Sequence, residues 1–415
     1  MINNNDPLYW HSISYNVDTF PVWNEIRDEA SDAGKFYMDI SYRLNPSRFI
    51  SRNGEWSLPW PQDLVPGYEM PVYDPTFSKT FDEVTNERAL EIKQRIAQGE
   101  KFAVMYSGGI DSTVIMSALI KNLTVEELSS VTVCSSIHSM TENPYFYEKF
   151  IHNKFNLIDS RTIKYDDLIG MGLTPITADE GDCIFGTIFG LTMYNNLEML
   201  TKDLSDESKA HIRSLKYAVS DPSVHFTEYK DAILAHLNVP TDPYFAEALY
   251  DKIIKNIDTA SVPIYSLHDF FWWMIFNIKY LNCAIRGSLY FNNTVEWRTC
   301  MDRIVNWFGH ADYQRWSMVN NNNGMKIKKS LSSYKWVAKE YIYDLDKNDW
   351  YRNFKIKLES LFNLTNQQPG MLDIDRNTHP SFRVGLTKDY EMMYLNDPAT
   401  QDYFKHHLAT YKRDW

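Results

Sequence analysis

The chain has 415 residues, 44% hydrophobic and 23% charged, a balance that belongs to folded globular proteins and excludes a disordered chain. With 42 basic against 54 acidic residues the formal charge is −12, so the surface as a whole repels polyanions and non-specific nucleic-acid binding is not expected. No run of about twenty apolar residues offers a membrane span. Cys134, Cys183, Cys283 and Cys300 form no CxxC pair and follow no apolar leader, which argues against a persulfide-carrying dithiol and structural zinc and predicts reduced thiols in a cytoplasmic protein.

Residues 1–80 are rich in aromatics, Pro and Asn, with Trp56-Ser57-Leu58-Pro59-Trp60-Pro61 and Pro66-Gly67 marking turns, and predict an irregular N-terminal layer. Residues 81–200 change character. Val84, Leu90, Ile92 and Ile96 recur at helical spacing between Phe81 and Gln98, and the apolar run Phe102 to Tyr106 predicts a buried strand. A Ser-Gly-Gly turn leads into an apolar-periodic helix from Ser112 to Lys121. Further strands are expected at Ser130 to Ser135, Arg161 to Lys164 and Pro175 to Ala178, with a helix from Tyr145 to Phe155. This alternation predicts an α/β fold with a parallel sheet. Residues 201–415 predict a mainly helical part, strongest at Phe270 to Ala284 and Ser333 to Tyr343, with a loop at Asn320 to Gly324.

Ser107-Gly108-Gly109-Ile110-Asp111-Ser112 stands between the predicted strand and helix, and each residue type there suits a phosphate. The glycines let the backbone turn and bring amides close to an anion, and the helix behind them presents its positive end. Ser107, Ser112 and Thr113 supply hydroxyls, and Asp111 is an acid that a bound cation makes sensible. Two glycines alone would mark only a tight turn; the whole strand, hexapeptide and helix points to a nucleotide. The segment is not GxxxxGK[ST], so γ-phosphate transfer is not the expected chemistry.

The hexapeptide resembles the PP-loop superfamily of ATP pyrophosphatases, and the chain is most similar within it to the synthetase domain of asparagine synthetase and β-lactam synthetase. Three further segments carry that likeness. Asp179-Glu180-Gly181-Asp182-Cys183-Ile184-Phe185-Gly186 looks like the family's Asp-Glu-Leu-Phe-Gly-Gly turn, which would make Asp182 a metal ligand beside Asp111 and place Asp179 among the catalytic acids. Glu296-Trp297-Arg298 with Asp302 is similar to Glu-x-Arg-x-Pro-Phe-Leu-Asp, which makes Glu296 a catalytic candidate. Lys335 to Lys339 resembles Lys-x-x-Leu-Arg, followed at a suitable distance by Lys355 and Lys357, one of which the likeness marks as the catalytic lysine. A solvated loop, a structural ion pair and a basic helix face are the plain alternatives for these three.

What the resemblance implies is a PP-loop core carrying ATP and Mg²⁺, with the adenine near Val133, Cys134 and Ser135 at the end of the second strand. The expected reaction is adenylation of a small-molecule carboxylate and amide formation with ammonia or an amine, releasing AMP and pyrophosphate. The alternative is a PP-loop enzyme that modifies a nucleobase or tRNA through an adenylate. A homo-oligomer is compatible with the sequence. Some residues depart from the pattern: no cysteine precedes Cys134, so a glutaminase is not expected, and Thr187 and Thr299-Cys300 replace family residues. The interval between the expected third strand and the acidic turn leaves little room for helices.

Overall fold

The computed structural model describes residues 52, 70–135, 139, 142–160, 162–186, 223–231, 233–234, 243–280, 303–320 and 335–355. Expectations for the rest of the N-terminal layer and for the segment holding Glu296, Arg298 and Asp302 fall outside the described residues, as do those for Leu281 to Ala284, for Asn321 to Gly324, for Lys357 and for the chain beyond it. Strands β1 (Lys101–Met105), β2 (Val131–Ser135), β3 (Asn156–Asp159) and β4 (Leu173–Thr177) pair in parallel, and the two-residue β5 (Val305–Asn306) completes a sheet ordered β3-β2-β1-β4-β5. The helices are α1 (Phe81–Ala97), α2 (Ile110–Asn122), α3 (Tyr165–Gly170), α4 (Gly181–Phe185), α5 (Pro243–Asp258), α6 (Leu267–Trp273), α7 (Ala311–Val319), α8 (Trp336–Asp346) and α9 (Asp349–Phe354). Among the described residues no helix is long and apolar enough to cross a membrane.

The chain forms two compact units, and the first holds β1 to β4 with α1 to α3, α8 and α9. Its centre is β1, where Val104 pairs with Val133 on one side and Ile176 on the other, all three fully buried. Helix α1 starts at a capping box in which Glu83 N–H donates to Thr80 Oγ1 at 3.2 Å and Thr80 N–H donates to Glu83 Oε2 at 2.7 Å. It buries Phe81, Val84, Ala89 and Ile92, residues on the face the periodicity marks. Helix α2 has no polar stripe and is buried continuously from Ser112 to Leu119, because α1 and α8 pack against it. Asn86 on α1 binds both neighbours: its Oδ1 accepts from Tyr341 Oη at 2.6 Å and from Asn122 Nδ2 at 2.9 Å. Lys121 on α2 lies 4.0 Å from the Tyr341 ring centroid and pairs with Asp344 at 2.8 Å.

The third strand differs from expectation, lying at Asn156–Asp159 instead of Arg161 to Lys164. It is the edge of the sheet and half exposed, so it carries no apolar run to mark it. The helix expected from Tyr145 to Phe155 is a single turn at Pro144–Phe146 continued by a π-turn at Tyr147–Ile151. The interval that left little room for helices holds α3, and β5 was not expected at all.

The second unit holds α4 to α7. Trp272, Trp273, Phe276, Val262 and Met318 form its core. Helix α6 runs into a π-helical stretch, Met274–Lys279, within the apolar segment read as helical. Buried Asn256 Oδ1 accepts from Trp273 Nε1 at 2.7 Å and Asn277 Nδ2 at 2.8 Å, so the indole and amide donors there are satisfied. The Arg52 guanidinium sits 3.8 Å from the Tyr280 ring centroid and donates to Gln314 Oε1 at 2.5 Å.

Candidate functional site

Everything that follows, apart from the acidic turn, belongs to the sheet unit. The Ser-Gly-Gly turn leaves the C-terminal end of β1, where the strand order reverses between β1 and β4. In open parallel sheets this is where a crevice forms and ligands gather. Gly108 has φ +77°, and a Cβ there would lie 2.1 Å from the Ser139 carbonyl oxygen, so both conformation and space demand glycine. Gly109 is the N-cap of α2 and no side chain caps the helix. Gly109 has no side chain to cap the first-turn amides of α2, and its own N–H donates to Ser107 Oγ at 3.3 Å, so the positive end of the helix dipole lies directly behind the turn.

The hydroxyls brace the turn. Ser112 Oγ accepts from Ser107 N–H at 3.1 Å and lies 3.0 Å from Ser107 Oγ, and Thr113 Oγ1 donates to the Gly109 carbonyl at 2.8 Å. Ser112 and Thr113 are buried, whereas Ser107 is exposed and Gly109 half-buried. The open rim of the turn is thus Ser107 and Gly109, while Ser112 and Thr113 hold its shape from behind.

Three lysines of the C-terminal helices, all with at most 2% exposure, are linked to the first turn of α2 or to one another. Lys335, in the left-handed region at φ 55° and at the start of α8, places its Nζ on both carboxylate oxygens of Asp111. Such a backbone conformation in a non-glycine residue persists only where the surroundings fix it. Lys339, one turn along α8, donates to the backbone carbonyl of Lys355. Its burial, with the nearby Lys355 charge, brings its ammonium down to about 7. Lys355 caps α9, and its Nζ donates to Glu142 Oε1 at 2.9 Å. Glu142 in turn lies against the turn, its Oε1 3.5 Å from where a Cβ on Gly109 would stand.

Val133, Cys134 and Ser135 sit buried at the end of β2 beside β1. Burial pushes the Cys134 thiol up to about 12, which makes it a packing residue and not a nucleophile. Asp179 and Asp182 belong to the second unit, where both are half-buried. Asp182 there opens α4, which ends on Gly186 at φ +73° against Trp272. Among the expected site residues, Ser107 to Thr113 and Lys355 come together in one unit, and Glu296 and Lys357 lie outside the described residues.

Sequence reasoning missed Glu142, which stands in a polar segment whose composition signals only a loop. It also missed the burial of Lys335 and Lys339, although their spacing of four puts them on one helix face. No family model, characterised protein or solved structure matches the chain.

Proposed function

We propose that this protein is a PP-loop ATP pyrophosphatase that acts as an AMP-forming carbon–nitrogen ligase. The observation that carries the reading is a helix N-terminus behind a glycine turn, at the strand-order reversal of a parallel sheet, with buried Lys335 on Asp111 and buried Lys355 on the Glu142 that lies against the turn. The glycine turn and the positive end of α2 favour an anion at the rim. ATP fits that demand: the β and γ phosphates would rest on the Gly109 rim and the amides of α2, and Lys355 would face the charge that develops as the pyrophosphate departs.

In the proposed reaction a substrate carboxylate oxygen attacks the α-phosphorus, the bond from it to the bridging oxygen breaks, and pyrophosphate leaves. An amine or ammonia then attacks the acyl carbon, AMP departs, and a base takes the proton from nitrogen. Mg²⁺ needs only one or two protein carboxylates beside phosphate oxygens, and Asp111, with 19% of its side chain exposed, would supply one by exchanging Lys335 for the metal. When bound it would neutralise the leaving pyrophosphate. Through the family resemblance, Glu296 would position or deprotonate the nucleophile, and Lys357 is the alternative to Lys355 as the catalytic lysine.

The test is pyrophosphate exchange into ATP across a panel of small carboxylic acids, followed by product analysis with amines. AMP and pyrophosphate are the expected products, and Asp111→Asn should lower exchange by about 100-fold. Formation of ADP and phosphate from ATP would refute the proposal.

A further inference from the structure

Glu142 puts a carboxylate where a phosphate-binding turn has least use for one. Its side chain lies across the glycines: a Cβ on Gly108 would come within 3.0 Å of Glu142 Cβ, and one on Gly109 within 3.5 Å of its Oε1. Its partner Lys355 is 2% exposed on the side chain and Glu142 itself 13%, so solvent screens the pair little. A purely structural ion pair has no reason to be built against the open rim of the turn. Buried pairs add little net stability compared with apolar side chains of the same volume, so the need for this one lies elsewhere.

A polyphosphate arriving at the α2 N-terminus meets the Glu142 charge head on. Either the two repel, or Lys355 passes from one anion to the other. We infer that Glu142 is a positioning residue for pyrophosphate binding: its carboxylate is the resident anion on Lys355, and a phosphate that binds the turn takes Lys355 from it. The inference rests on the reading of the turn as a polyphosphate site. Its consequence is selectivity by charge. A singly charged anion gains too little to displace a carboxylate of equal charge, whereas pyrophosphate carries enough to win the exchange, and the glutamate speeds pyrophosphate release by reclaiming the lysine.

The experiment is calorimetric titration of the full-length protein with magnesium pyrophosphate, for wild type, Glu142→Gln, Glu142→Ala and Glu142→Asp. With the competing charge removed, Glu142→Gln and Glu142→Ala should bind pyrophosphate about tenfold more tightly. Glu142→Asp, which keeps the charge, should stay within about threefold of wild type. In turnover, Glu142→Gln should lower both KM for ATP and kcat, with pyrophosphate becoming the stronger product inhibitor, a split that loss of structure does not produce. Unchanged or weaker binding by a folded Glu142→Gln protein overturns the inference and leaves the nucleotide reading standing. Failure of both uncharged variants to fold overturns it too, since a residue that surrenders its partner on binding is not part of the framework. Wild-type protein that binds neither pyrophosphate nor ATP overturns the nucleotide reading itself, and this inference with it.

Discussion

Two glycines of the sheet unit share a φ in the left-handed region and differ in their surroundings, so together they compare strain with crowding. Gly108 and Gly172 both have φ +77°, but a Cβ on Gly172 meets nothing within 4 Å, whereas one on Gly108 would lie 2.1 Å from the Ser139 carbonyl oxygen. Gly172→Ala therefore incurs only the left-handed backbone cost of about 1–2 kcal/mol. Gly108→Ala incurs that cost and must also push the carbonyl back by about 1.3 Å to reach the 3.4 Å at which ordinary contact begins. Overpacking of this kind adds about 1–3 kcal/mol, giving about 2–5 kcal/mol in all. Urea denaturation of both variants, followed by circular dichroism, measures the difference. Equal destabilisation of the two, to within about 0.5 kcal/mol, would mean that the turn is not packed on Ser139 and that the crowding argument fails.

Lys335→Met should destabilise the protein by about 2–4 kcal/mol, because it leaves the Asp111 carboxylate largely buried without its cation; adding Asp111→Asn should restore at least half of that loss in thermal unfolding. Asp346 is fully buried, its Oδ2 has no hydrogen-bond partner among the described residues, and burial raises its carboxyl to about 6 despite the Asn348 amide and the nearby Lys149 and Lys347 charges. The folded protein thus binds this proton more tightly than the unfolded chain. Stability from Asp346 is complete below its ordinary value of 3.8 and is lost as pH rises through about 6. The stability of wild type relative to Asp346→Asn should accordingly fall between about pH 4 and 6, by at most ~3 kcal/mol, and a difference that stays flat across that window would contradict the assignment.

The parts of this fold that were legible in the sequence are those whose signal is local. Phe102 to Tyr106, the glycine turn and the periodic helix after it lie within some twenty residues of one another, and β1 and α2 fall close to where they were expected. Strand β3 was misplaced because Leu157 is 40% exposed on the sheet edge, and an edge strand needs no apolar run. Two-residue β5 is too short for any periodicity. Nothing local marks Lys335, Lys339 and Lys355 as buried, because lysine is almost never fully buried unless it is paired, and the partners of Lys335 and Lys355 lie on distant segments. Glu142 was invisible for the same reason: nothing near Thr141-Glu142-Asn143 announces a lysine 213 positions away.

Those separations also govern when the assembly can come into being. Lys335 meets Asp111 across 224 positions, and Lys355 meets Glu142 across 213. The segment from Phe81 to Thr177 is synthesised well before α8 and α9, so a nascent chain stopped before them has the glycine turn without Lys335 and Lys355. Closure over such spans costs little in equilibrium entropy, about 0.6 kcal/mol for each doubling of the loop, but it postpones the last contacts until nearly all of the chain has been synthesised. Synthesis order thus leaves the glycine turn without Lys335 and Lys355 until translation has passed α8 and α9.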